Sequence, residues 1–446
     1  MRILICGINF SPEPVGIGKY TGEMAEWLAR KGHEVRVITS PPHNPWWHVP
    51  SGFSAWKYTK ERVQRCSKAP VEVFRCPLFV PKRPDGLVRV LYLATFGLSS
   101  LPVTLWQWSW CPSIVLVVEP TLFCSLQALC VAWLARGTSW LHIQDFEVDA
   151  AFQLGDLSGS HLRKWAFAVE RKLLRRFDVM SAISSRMVER LISKGADASR
   201  CVLFPNWVDN KAIYPLSRPS PFRRELGLDQ NKVVALYSGT MGKKQGLDLL
   251  VHSARQHIDV GNLLYVFSGE GSYRHELIAK TQNLPNVLHL PMQPRERLND
   301  LLNLADIHLL PQRADAADLV MPSKLTGMLA SGRPIVATAA EGTQLHSAVQ
   351  RCGIVTPPGD VNALTSAIFD LFASKDLRIA LGHRAREYAV SHLDLDEVLT
   401  RFEQVALSVA GRANTAPREL ISEETPDNGS KRPAVETGHR HGQATF

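Results

Sequence analysis

The chain repeats one pattern: a short apolar run, a turn rich in glycine, then an amphipathic segment with helical spacing. It opens with RILICG and the loop GINFSPEPVGIGKY. The helical YTGEMAEWLARKG follows, with Met24, Trp27 and Leu28 on one face and Gly32 as its stop. EVRVITS, SIVLVVEP, SWLHIQD and DVMSAIS read as further strands. LFCSLQALCVAWLARG, HLRKWAFAVERKLLRRF and SRMVERLISKG read as helices, and CVLFPNWVD as a strand running into a turn. A second series begins at KVVALYSGTMG and continues through NLLYVFSGEG, NVLHLP, IHLLPQ, RPIVATA and CGIVT, each followed by a helical segment. Strands separated by helices pair in parallel, because each crossover carries the chain back to the same end of the sheet. Two such series predict an α/β protein with two doubly wound, Rossmann-like domains. The boundary falls in the Pro-, Asn- and Ser-rich segment 205–221, so residues 1–205 form the first domain and 206–387 the second. Residues 411–446 turn polar and read as a disordered tail.

Hydrophobic residues make up 45% of the 446 and charged residues 21%, enough apolar side chain for large cores. The net charge of +9 is unevenly placed. Residues 1–205 hold 25 Lys and Arg against 16 Asp and Glu, which accounts for all of it. All 11 Trp lie at or before Trp207. A basic, Trp-rich half suits an anionic membrane surface or a lipid-linked anionic partner; the alternative is a solvated basic face over a Trp-rich core. No nucleic-acid partner is expected. The eight Cys form no CxxC pair and no metal-ligand spacing, as in a reducing compartment. The N-terminal apolar run is about six residues long, too short for a signal peptide. Residues 90–118 carry no charge. They read either as an element dipping into a membrane interface, with Trp106, Trp108 and Trp110 at headgroup depth, or as a core helix followed by the core strand SIVLVV.

The glycine turns point to phosphate, but not to a dinucleotide. Gly16, Gly18 and Gly22 are one residue too widely spaced for G-x-G-x-x-G, the loop starts late, and the second strand ends in Thr39-Ser40 without an acid for a ribose. No P-loop is present. Gly16, Gly18 and Lys19 instead suit a terminal diphosphate at a helix N-terminus. In YSGTMGKKQGLDLL, Gly239 and Gly242 frame a turn that carries Lys243 and Lys244, placed to stabilise a departing diphosphate. Gly269 and Glu270 lie at the next strand end, where a base or ribose can rest on bare backbone. Ser323 and Lys324 open a helix after Pro322, a further phosphate position. In LHIQDFEVDA, His142 is expected just past a strand, facing a cleft and able to donate to a sugar hydroxyl. Asp145, Glu147 and Asp149 follow as candidates to orient a hydroxyl acceptor. Their spacing is not that of a metal site.

Taken together, GIGKYTGEMAEWLARKGHEVRVIT, LHIQDFEVDA, FPNW, ADLVMPSKLTGMLASGRPIVATA and CGIVTPPGD resemble the retaining GT-B glycosyltransferases of family four. More narrowly, the chain resembles the WcaI-type colanic acid glycosyltransferases over roughly residues 1–410. The resemblance implies two domains facing a cleft, the second holding a nucleotide-sugar donor and the first an acceptor. The helices of 388–410 are then expected to cross back to the first domain. Gly16 and Gly18 would lie under the diphosphate and reacting sugar, His142 would touch the donor sugar, and Lys243 or Lys244 would neutralise the β-phosphate. Ser323 and Lys324 would offer backbone N–H groups. No cofactor or metal is implied. The resemblance further implies fucosyl transfer from GDP-fucose to a lipid-diphosphate-linked oligosaccharide, by a cytoplasmic protein peripheral on the inner membrane face. Thr240 and Gln245 stand where many members carry Arg and Lys, and Leu319 and Gly327 stand where many carry glutamates, leaving Glu270 and Glu341 as local carboxylates. A GT-B nucleotide-sugar epimerase and a non-catalytic nucleotide-sugar or membrane-binding protein are the rival readings.

Overall fold

The computed structural model describes residues 1–64, 70–82, 86–120, 122–153, 160–242, 245–312 and 322–410. The first domain is built on β1 (Arg2–Cys6), β2 (Glu34–Thr39), β3 (Thr59–Val63), β4 (Val71–Arg75), β5 (Ile114–Glu119), β6 (Thr138–Ile143), β7 (Val179–Ala182) and β8 (Cys201–Leu203). Their order across the sheet is β3-β4-β2-β1-β5-β6-β7-β8, parallel throughout except for β3 against β4. The second domain holds β9 (Val233–Ser238), β10 (Leu263–Ser268), β11 (Val287–Leu290), β12 (Ile307–Leu310), β13 (Ile335–Thr338) and β14 (Gly353–Thr356). These form a parallel sheet in the order β11-β10-β9-β12-β13-β14. Strand order reverses beside β1 and beside β9, and open α/β sheets bind ligands outside the carboxyl ends at such points.

The central strands are uninterrupted apolar runs because helices cover both faces of each sheet. Every residue of β5 and β9 is buried. No strand is expected from the sequence at β3 or β4. TKERV is a charged edge strand whose Lys60 and Arg62 flank Glu72 of its neighbour, so it lacks the apolar alternation that marks a half-buried strand.

The helix Leu395–Ala410 crosses onto the first domain. Val398, Phe402, Val405 and Val409 recur at helical spacing and pack with Ile3, Trp27, Trp140 and Phe204. The Phe402 ring lies 4.7 Å from both Phe204 and Trp140. Trp27 Nε1 donates to Asp396 at 2.9 Å, and His33 Nε2 lies 2.7 Å from Glu403. The preceding helix, Lys375–His392, stays with the second domain through Ala385 and Ala389. The two passages between domains are themselves bonded: Val208 N–H donates to Leu393 O at 2.8 Å, and Leu395 N–H to Val208 O at 3.0 Å.

The uncharged segment forms the helix Leu87–Trp106, a short 3₁₀ turn and β5. Leu87–Trp110 is long and apolar enough to cross a membrane by length and composition. Two of its polar groups, however, are bonded to other elements of the domain. Ser100 accepts from Gln127 at 2.8 Å, and Gln107 Oε1 accepts from Arg36 at 2.9 Å. Tyr92, Leu93 and Phe96 face the core, while Leu87, Leu91, Leu98, Leu101, Trp106 and Trp108 are exposed. The segment is therefore a core helix with one bare apolar face. Trp110 does not share that face; it is half-buried under the Arg36 guanidinium, 4.3 Å from its ring. Residues 411–446 lie outside the described residues, as do Lys243 and Lys244.

Removing the ring that joins the C-terminal helix to the first domain should be costly. Phe402→Ala is expected to lower stability by about 3–5 kcal/mol. Leu407→Ala, on the exposed face of the same helix, should change it by less than about 0.5 kcal/mol. Urea titrations followed by circular dichroism measure both.

Candidate active site between the domains

A cavity of about 520 Å³ lies between the two domains at the carboxyl ends of β1 and β9. One wall is the start of the helix Gly16–Arg30. Val15 at its cap supplies no side-chain acceptor, and its first turn holds no acid, so the open N–H groups and positive helix end face the cavity through Val15, Gly16 and Lys19. The facing wall comes from the second domain: Ser238 and Gly239 at the end of β9, Ser268 and Gly269 at the end of β10, then Ser323, Lys324 and Thr326. A Cβ on Gly269 (φ +150°) would lie 1.9 Å from Gly239 O. The two strand-end turns thus pack backbone on backbone and leave bare peptide at the surface.

Lys324 is the unusual group of this wall. Its Nζ is buried with no hydrogen-bond partner among the described residues, 3.9 Å from the centre of the Tyr237 ring. Burial pushes its amine down to about 7. A buried amine facing a cavity, with no counter-ion among the described residues, is set up to receive an anion. Tyr20 reaches across from the first domain, its hydroxyl 3.2 Å from Ser323 O and 3.3 Å from Thr326 Oγ1. Glu23, one turn further along, accepts from Arg295 of the second domain at 2.6 Å and from Trp207 Nε1 at 3.0 Å.

Of the residues singled out from sequence, Gly16, Lys19, Gly239, Gly269, Ser323 and Lys324 line this cavity. Gly18 faces inward instead, where a Cβ would lie 2.4 Å from Glu13 Oε2. Glu13 is a buried carboxyl that accepts from Asn9 and from the backbone of His43 and Asn44. Burial outweighs those bonds and pushes it up to about 7. Gly242 N–H donates to Gln245 Oε1 at 3.1 Å, Glu270 lies 3.5 Å from Arg274, and Glu341 is in an exposed turn.

His142 does not stand past its strand. It lies inside β6, and strand alternation turns it to the same face as Trp140, away from the strand's open end. Its Nδ1 lies 2.9 Å from Ser181 Oγ, its Nε2 3.0 Å from Gln144, and its ring 4.8 Å from Phe204. Burial pushes it down to about 3, so it stays neutral. The acidic trio also separates. Asp149 is bound by Arg190 at 2.7 Å and by Lys194. Glu147 accepts from Leu122 N–H at 2.9 Å and is pushed up to about 7 by burial. Asp145 keeps a buried oxygen without a partner and is pushed up to about 6, burial outweighing Arg89. Glu13, Tyr20, Glu23 and Arg295 were not singled out from sequence. The Glu23–Arg295 contact spans 272 positions, and no local pattern marks it.

Residues 15–207 match the Glycosyl transferase 4-like domain family, and residues 220–388 match Glycosyl transferases group 1. The chain is 40% identical to the putative colanic acid biosynthesis glycosyl transferase WcaI of Escherichia coli K12, over 90% of this chain and 98% of that protein. The chain belongs to the WcaI-type glycosyltransferases. Solved structures share the GT-B fold of this WcaI-type chain at low identity. Sucrose-phosphate synthase from Thermosynechococcus elongatus aligns with a TM-score of 0.70 at 15% identity, over 92% of this chain and 99% of that one. Anabaena HepE, solved in complex with UDP-glucose, aligns with a TM-score of 0.64 at 18% identity, over 92% and 100%.

The Lys324 amine gives the site a pH signature. Its ordinary value is 10.5 and its folded value about 7, so between these the unfolded chain holds a proton that the folded chain lacks. Stability should therefore rise with pH across that window, and Lys324→Met should flatten the rise; urea unfolding at several pH values measures it. An anion beside the amine restores the proton. Nucleoside diphosphate binding near pH ~8.5 should take up about one proton, lost in Lys324→Met, by calorimetry in buffers of different ionisation heat.

Proposed function

We propose that the cavity between the domains binds a nucleotide-sugar donor. The protein would then transfer the sugar, with retention, to a lipid-diphosphate-linked oligosaccharide in exopolysaccharide assembly. The observation that carries this reading is the open helix end at Gly16 and the buried Lys324 amine, without a hydrogen-bond partner among the described residues, on one cavity with the bare backbone of Gly239 and Gly269. A departing diphosphate is stabilised by such groups without a metal. Lys243 and Lys244, which follow Gly242 in the chain, add charge in this reading. Attack comes from the side of the leaving group, whose phosphate oxygen takes the acceptor proton. The preferred donor is GDP-fucose, on the likeness to WcaI-type enzymes.

The acceptor's lipid places the reaction at a membrane, and two surfaces of the first domain support contact there. One is the bare face of Leu87–Trp106 with Phe123, Leu126 and Trp133 of its neighbour. The other is a hollow of about 500 Å³ lined by Arg171, Lys172, Arg175 and Arg176. Exposed apolar side chains and a basic patch each suit an anionic bilayer surface.

Titration with GDP, UDP and dTDP, without added metal, tests the donor. GDP should bind most tightly; preference for UDP or dTDP would discard fucose, and binding of none would discard the cavity as donor site. Replacing Trp106 and Trp108 by Ser should cut binding to anionic phospholipid vesicles by about tenfold in sedimentation assays. Unchanged binding would remove this helix from the membrane contact.

A further inference from the structure

Lys19 and Arg295 come from different domains and converge on one carboxylate. Glu23 Oε1 accepts from Arg295 at 2.6 Å, while its Oε2 lies 3.5 Å from Lys19 and accepts from Trp207 Nε1 at 3.0 Å. All three charged side chains line the cavity. One carboxylate cannot neutralise two cations, so the trio itself is net positive, while Asp209 and Glu296 line the same cavity. Its members are unequally held. The Glu23 side chain is 12% exposed and Arg295 61%. Trp207 is fixed by its packing against Tyr20 (5.3 Å) and Phe204 (5.6 Å). Its indole N–H is a neutral donor that keeps Glu23 in place whatever the cations do. The ion pair to an arm as exposed as Arg295 is weak. A diphosphate offers a guanidinium more charge and paired acceptor oxygens.

We propose that Glu23 is a place-holder for the donor. It holds Lys19 and Arg295 in the empty cleft and gives both up to the incoming diphosphate, so that Arg295 becomes a donor-binding residue and the ligand ties the two domains together. This rests on the reading of the cavity as the donor site. Glu23 then acts only through its two cations, as a positioning residue. Its loss frees them for the ligand, whereas loss of Arg295 removes a phosphate contact.

Calorimetric titration of the full chain with GDP and UDP, and with guanosine and uridine, separates phosphate from base effects. Arg295→Gln should weaken the better-bound diphosphate at least about fivefold and leave the nucleoside unchanged, with Arg295→Lys in between. Glu23→Gln keeps an acceptor for Trp207 and should tighten the diphosphate about threefold, again without effect on the nucleoside. Equal weakening by both variants would mean that the pair persists in the bound state as a latch, and would overturn the exchange. Unchanged diphosphate affinity in Arg295→Gln would overturn it too. Lys324→Ala separates the two ideas. If it weakens diphosphate binding while the Glu23 and Arg295 variants do not change it, the site stands and the exchange falls. If it has no effect, the site reading falls and the exchange with it.

Discussion

The cleft exists only because the chain passes between its domains twice at one place. Val208 and the Leu393–Leu395 segment exchange backbone hydrogen bonds, and the Phe204, Phe402 and Trp140 rings close together just beyond. Arg386 reinforces the second-domain side by donating to Asn210, Ile213 O and Ala330 O, each at 2.9 Å. Neither domain contains the cavity. Its walls are the ends of two separate sheets, whose mutual position is held by this junction together with the Tyr20 and Glu23 contacts across the cleft.

Charge is distributed by burial in opposite ways on the two sides. In the first domain, Glu13 and Glu147 are buried with hydrogen-bond donors around them, and burial still raises both carboxyls. They are paired structural groups that tie loops to the sheet. In the second domain, the Lys324 amine is buried with an aromatic face as its neighbour and no anion among the described residues. Desolvation of an unpaired amine is tolerated where a ligand completes the site. The two domains thus offer an anion a positive helix end and a buried amine, with Glu23, Asp209 and Glu296 as the carboxylates among the described lining residues.

Much of the fold was legible because β5 and β9 are continuous apolar runs and the helices between have clear stops. What escaped was short or charged: β3 owes its place to pairing with β4 and to its ion pairs with Glu72, which period-2 reading does not register. The cavity-lining glycines were legible at Gly16, Gly239 and Gly269. Gly18 looked the same in sequence, yet its missing side chain makes room for Glu13. His142 was misplaced because a strand's end and its penultimate position differ by a single residue, and that residue decides which face the ring takes. Glu23, Trp207 and Arg295 were illegible, since their meeting depends on how one domain lies against the other.

The tryptophans carry a last consequence. None lies beyond Trp207, and the second domain fills its core with Tyr237, Tyr265 and Phe267 instead. Light absorbed at the red edge of the protein spectrum is therefore absorbed by the first domain and by one indole at the junction. That indole bonds to the carboxylate shared across the cleft. The molecule is optically one-sided, with a native chromophore on the line where its domains meet, while the second domain stays dark.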